Sequence, residues 1–225
     1  MLRPYVKNTF LAFGFVVLTS FTGGVLTACS TNSQTQTEAS QPTATDASNQ
    51  QHHHHSQAMN LGPADANYDL RFIDAMIMHH QGAVDMANVA QQKSKRREIK
   101  QLGAEIIKAQ NQEIAQMKRW RTAWYPKAGN QAMAYDATMG HMMAMSSEQQ
   151  EAMMMSQDLG GADAEFDLRF INAMIPHHEG AVVMAQDALQ KSQRAEIKNL
   201  AQAIIKAQQG EIQQMKQWRT VWYKK

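Results

Sequence analysis

The chain has 225 residues, with 22 Lys+Arg against 20 Asp+Glu, 17 Met and one Cys. Two of the basic residues, Arg3 and Lys7, lie in residues 1–28 with no acid beside them, so the remainder is formally neutral. A neutral chain lacks the concentrated basic face that grips nucleic acid, and a single Cys excludes both an internal disulfide framework and a four-Cys zinc site.

Arg3 and Lys7 precede an apolar run from Phe10 to Val25, followed by Leu26-Thr27-Ala28-Cys29. A charged start, an apolar middle and small residues before the cut make residues 1–28 an expected export signal. The run is interrupted by Gly14, Gly23 and Gly24 and is short for a membrane span. Cys29 occupies the acylated position of a bacterial lipobox, so a lipid on Cys29 is the expected membrane attachment. The expected compartment is the periplasm, with the protein either anchored through Cys29 or released. Residues 29–59 are rich in Ser, Thr, Gln and Asn and read as a disordered tether. Within it, His52-His55 would collect divalent copper weakly; simple low complexity is the equal alternative.

The remainder is one unit written twice. An offset of 98 positions aligns Asp69–Tyr125 with Asp167–Tyr223 without a gap, and 39 of the 57 aligned positions are identical. In the first copy, Phe72, Met76, His79, Ala83, Met86 and Ala90 recur at alternating steps of four and three. This is the seam of an amphipathic helix. After a polar break at Gln91–Ser94, Ile99, Leu102, Ile106, Ala109, Glu113, Met117, Trp120 and Trp124 repeat the rhythm, and Pro126 ends it. Little alternation of β-branched residues leaves little room for strands. The pattern predicts an all-α, ferritin-like four-helix bundle made of two helical hairpins, at residues 60–125 and 162–225, whose apolar stripes cover each other. A Met/His-rich connection spans residues 126–161, where Ser146 and Gln149 have capping-box spacing for a short helix.

At about 100° per residue, Met76, His79, His80, Ala83 and Met86 share one face, as do Met174, His177, His178, Ala181 and Met184. Thioether sulfur and imidazole nitrogen suit monovalent copper, with silver as its mimic. Methionine also fills irregular cores, but adjacent histidines with Met at both ends, in both copies, favour metal ligation. Met78 points away and is replaced by Pro176, which excludes it. Met117 and Met215 serve core packing or supply a further donor from the facing helix. Glu113 and Glu211 are expected first to pair with Arg71 and Arg169; the alternative is to orient a histidine. Gly82 and Gly180 permit close helix approach. In the connection, Met139, His141, Met142, Met143 and Met145 are candidates for further or transfer sites.

The pattern Met-x-x-His-His-x-Gly-Ala-x-x-Met-Ala, at Met76–Ala87 and Met174–Ala185, resembles the hallmark of a bacterial helical family, domain of unknown function 305. Gly140-His141-Met142-Met143 leading to Ser146-Ser147-Glu148 is similar to the stretch that precedes the motif there. The resemblance covers roughly residues 60–225 and implies a helical bundle, copper binding in the periplasm and a role in resisting copper excess. Copper ions are the expected partner; whether a copper efflux system receives them is left open by the sequence. Catalysis is not expected: no Glu stands three residues before any His, as a di-metal carboxylate oxidase requires. The competing reading is a metal-free helical lipoprotein scaffold or partner-binding protein.

Overall fold

The computed structural model describes residues 60–225; the expected leader at 1–28, Cys29 and the His52–His55 tract lie outside the described residues. Four long helices dominate: α1 (Tyr68–Lys93), α2 (Arg97–Trp124), α4 (Phe166–Lys191) and α5 (Ala195–Tyr223). Between α2 and α4 come β1 (Met133–Asp136), β2 (His141–Ala144) and the short helix α3 (Ser147–Met154). The fold is all-α in character, a four-helix bundle of two duplicated hairpins with a Met-rich connection. Among the described residues, no helix is long and apolar enough to cross a membrane.

Each hairpin turns at a serine. The backbone leaves the helix at Ser94 (φ −65°, ψ 142°) and Ser192 (φ −67°, ψ 144°), and each hydroxyl accepts from the N–H two residues on, at 3.1 Å. This local bond gives the backbone an alternative to a further helical turn, so three residues suffice for the corner. Both serines are buried.

The hairpins are related by an approximate two-fold axis beside His79 and His177, which are 98 positions apart and whose rings pack at 3.9 Å. Reciprocal ties follow that symmetry. Arg194 lies 4.2 Å from the Trp124 ring and Arg96 lies 4.2 Å from the Trp222 ring. Lys93 donates to the Gly160 carbonyl at 2.7 Å, and Lys191 to that of Gly62 at 2.8 Å. At each helix entry a buried or half-buried arginine gathers the preceding loop: Arg71 binds the Leu61 and Pro63 carbonyls and Asp65, and Arg169 binds those of Leu159 and Gly161 and Asp163. The expected pairing of these arginines with Glu113 and Glu211 is therefore overturned, because carboxylates in the adjacent loops reach them first.

The connection departs from the sequence reading by forming a two-stranded antiparallel hairpin, with Met133 opposite Ala144 and Asp136 opposite His141. Strand composition does not drive it; turn chemistry does. Asp136 accepts from the N–H groups of Thr138 and Met139 at 2.8 and 2.9 Å, and Gly140 adopts φ 71°, a left-handed conformation that suits glycine. The capping box of α3 forms as the spacing predicts, with Ser146 and Gln149 bonded reciprocally.

After α3, Met155 turns the chain through the left-handed region (φ 47°), and the Met154 backbone presses on α1 at Gly82. A Cβ at position 82 would overlap the Met154 carbonyl. Gly82→Ala is therefore expected to destabilise by about 1–3 kcal/mol through overpacking, despite the better helix propensity of alanine. Gly210 lies within α5 with open space at its Cβ, and Gly210→Ala is expected to stabilise by about 0.5–1 kcal/mol. Denaturant unfolding of the two variants checks the opposite signs.

Candidate metal centre

The antiparallel register of each hairpin sets its polar pairs. Across α1 and α2, His80 meets Glu113, with Nε2 to Oε2 at 2.7 Å. Moving one turn along each helix brings Met76 opposite Met117, since the residue numbers of facing pairs keep a constant sum in antiparallel helices. Both methionines are fully buried in the same core cluster. In the second hairpin His178 meets Glu211 at 2.6 Å, and Met174 and Met215 share the opposite core cluster, again fully buried. Each hairpin thus holds a His–Glu pair beside a Met–Met pair.

The histidine chemistry follows from the carboxylates. A carboxylate only accepts, so Nε2–H of His80 and His178 is the donor, and Nδ1 is the ring nitrogen left over. Both Nδ1 atoms are buried and have no hydrogen-bond partner among the described residues. The carboxylate fixes the orientation of the ring, which is the part an outer partner plays beside a metal-binding histidine. Glu113 and Glu211 are about one-fifth exposed while the two histidines are fully buried, so each carboxylate also connects its site to solvent.

His79 and His177, which pack on each other, stand next in sequence to His80 and His178. Nε2–H of His177 donates to the Met154 carbonyl at 3.1 Å. Burial, reinforced by neighbouring His178, pushes His177 down to about 3, so its ring is neutral at neutral pH. Met154 belongs to the connection, so the segment joining the repeats covers one side of the histidine layer. The close approach expected at Gly82 is thus made by this covering backbone.

Met76, His79, His80 and Met86 share a face, as the periodicity predicts, and all are buried. They do not form one group. Met86 lies ten residues beyond Met76, about 15 Å along the helix, and the two belong to different core clusters. Met184 falls with Met76 and Met117, and Met86 falls with Met174 and Met215. Each side of the histidine layer therefore mixes methionines of both repeats.

The connection residues are also divided. Met139 is 66% exposed, and His141 and Met143 are exposed on one face of β2. Met142 is half-buried, and Met145 is buried in the core beside Met153 and Met155. Sequence reasoning did not single out Met153 and Met155 as donors. It also passed over Gln110 and Gln208, buried on α2 and α5 with side-chain carbonyl oxygens that have no partner among the described residues. Their signal was a polar residue on the apolar seam in both copies.

Among the described residues, no group of three or more His, Cys, Asp or Glu converges in metal-binding geometry. The further donors beside each His–Glu pair are thioether sulfurs, which suit soft ions. Trp120 and Trp218 stand one turn beyond Met117 and Met215, half-buried against the two clusters.

Known proteins resemble this chain over most of the described residues. Solved structures of CopM are similar to the chain over 69% of its length and 97% of theirs: the Cu(II)-bound form at 40% identity and TM-score 0.54, the Cu(I)-bound form at 38% and 0.53, and an Ag-bound form obtained by soaking at 35% and 0.54. No curated protein sequence matches. The family described as Domain of unknown function (DUF305) matches residues 69–219, about two-thirds of the chain, and the protein belongs to that family.

Proposed function

We propose that this protein is an exported copper-binding protein that sequesters monovalent copper, or hands it on, in copper resistance. Silver is bound as a mimic. The carrying observation is the pair of buried Nδ1 atoms, on His80 and His178, each held by a carboxylate on the other ring nitrogen and set one turn from two thioethers. Two sulfurs and one imidazole nitrogen make a three-donor set suited to Cu(I). The copper- and silver-bound forms of CopM support this reading.

A metal-free scaffold gains from each of these histidines one interhelix bond to a glutamate and bears the unpartnered Nδ1. A buried acceptor without a partner costs about 1–3 kcal/mol, and leucine would fill the seam without that penalty. Ligation gives both copies a reason to keep the imidazole. The exposed Met139, His141 and Met143 of the β-hairpin act as transfer donors, collecting or releasing the ion at the surface. Divalent copper is collected weakly at His52–His55. Export through residues 1–28 places the protein in the periplasm, held by lipid on Cys29 or released, with a copper efflux system as a recipient. The chain works by holding and passing metal, and catalysis has no part in this reading.

Anaerobic titration with Cu(I) against a competing chelator tests the proposal. Wild type is expected to withdraw copper from a chelator of sub-micromolar strength. Glu113→Gln and Glu211→Gln are each expected to weaken one site by about 10–100-fold, the usual cost of losing an outer partner of a metal-bound histidine. Wild type that leaves all copper on the chelator would sink the proposal.

A further inference from the structure

The connection holds a feature that the duplicated motif lacks. A narrow cavity of about 50 Å³ has Met133, Met145 and Met153 in its wall. We propose that it is a separate site for one soft monovalent ion, Cu(I) or Ag(I), held by thioethers alone. The inference rests on the protein taking up such ions, as proposed above, but uses none of the residues of the two histidine sites.

Methionine is the residue that fills irregular gaps, because its chain is flexible and its sulfur polarisable. Here three of them border an opening that they leave unfilled. The volume exceeds the roughly 10–15 Å³ needed to admit one small occupant, and thioether sulfur selects the soft monovalent ions. The backbone around the three is firmly placed. Met133 N–H donates to Asp74 at 2.9 Å, and Met133 pairs with Ala144 across the strand ladder. Met145 N–H donates to the Ala132 carbonyl at 2.8 Å, one residue before the capping box that starts α3. Met153 lies on that helix, 3% exposed.

The wall also contains Arg71, Tyr135 and Gln149. The Arg71 guanidinium is occupied elsewhere: it donates to Leu61 and Pro63 carbonyls at 2.6 and 2.7 Å and pairs with Asp65 at 2.9 Å. It also lies 5.4 Å from the Tyr135 ring. Gln149 commits its side-chain oxygen to the Ser146 N–H at 2.9 Å. The charge of Arg71 is thus neutralised by its partner, and its residual repulsion makes this site weaker than the histidine sites. It fills after them.

Asp74 gives the site its asymmetry. The second repeat has Asn172 at the matching position, so only the first repeat offers the carboxylate that anchors both Met133 and Arg121.

The test uses the full chain with His80→Ala and His178→Ala as background, titrated anaerobically with Cu(I) and examined by copper-edge X-ray absorption. The background is expected to retain an ion with a sulfur-only shell. Adding Met133→Leu, Met145→Leu and Met153→Leu should remove one equivalent, and contributions from the rest of the chain cancel in the difference. Met133→Leu alone, at a half-buried position, should weaken that equivalent at least tenfold and serves where the triple variant fails to fold. The proposal is overturned if the triple variant binds as many ions as its background, or if folded Met133→Leu binds with unchanged affinity. Failure of the histidine reading would show separately, as no loss between wild type and background.

Discussion

Replacing His80 and His178 together with alanine is expected to remove two equivalents of tightly bound Cu(I), lowering affinity at each site by on the order of 100-fold, or about 3 kcal/mol. The geometry is specific about which atom is lost. Glu113 and Glu211 occupy Nε2, at 2.7 and 2.6 Å, so the donor removed is Nδ1. Alanine is a strong helix former, and the His79–His177 packing on which the two hairpins meet is untouched. Circular dichroism should therefore remain helical while the chelator retains the copper. Tight binding by a helical double variant would place the ions elsewhere.

The second large effect separates the two hairpins. Met76→Leu with Met117→Leu is expected to abolish the first site, again by about 100-fold, and to leave the second unchanged. Met174→Leu with Met215→Leu should do the converse. Each exchange conserves volume and should cost less than about 1.5 kcal/mol of stability, so folding is not the variable. The two effects should add, because the pairs lie in different core clusters and distant sites behave independently. Met86→Leu provides the discriminating comparison. If the ligands of each site were contiguous in sequence, this exchange would damage the first site. The structure places Met86 on the far side of the histidine layer, so the first site should survive it. Chelator competition on the three variants reads all of these outcomes.

These expectations show where sequence information ends. The duplication, the four long helices and their apolar seams are legible because helical periodicity is local and was written twice. The capping box at Ser146–Gln149, written once, is legible because its spacing is local. Which side of the histidine layer each methionine joins is not local: periodicity assigns a face, whereas Met76 and Met86 share a face and still lie about 15 Å apart along the axis. The partner of Glu113 also depends on interhelix register. Arg71 turned instead to Asp65, six residues upstream in a loop, a contact that no seam pattern encodes. The β-hairpin escaped notice because a turn around Asp136 and Gly140, and an anchor on Asp74, make up for strands poor in β-branched residues. Met133 and Met153 come together only at the cavity that these long-range contacts border.

The central claim is that each hairpin holds one soft ion between His Nδ1 and two facing thioethers. Anomalous diffraction from silver-loaded crystals tests it most directly, because it locates the ions without reliance on affinity. The account predicts one silver ion bonded to His80, Met76 and Met117, and a second bonded to His178, Met174 and Met215, related by the axis that passes beside His79 and His177. Silver confined to the exposed Met139–Met143 hairpin, with neither buried Nδ1 ligated, would contradict it.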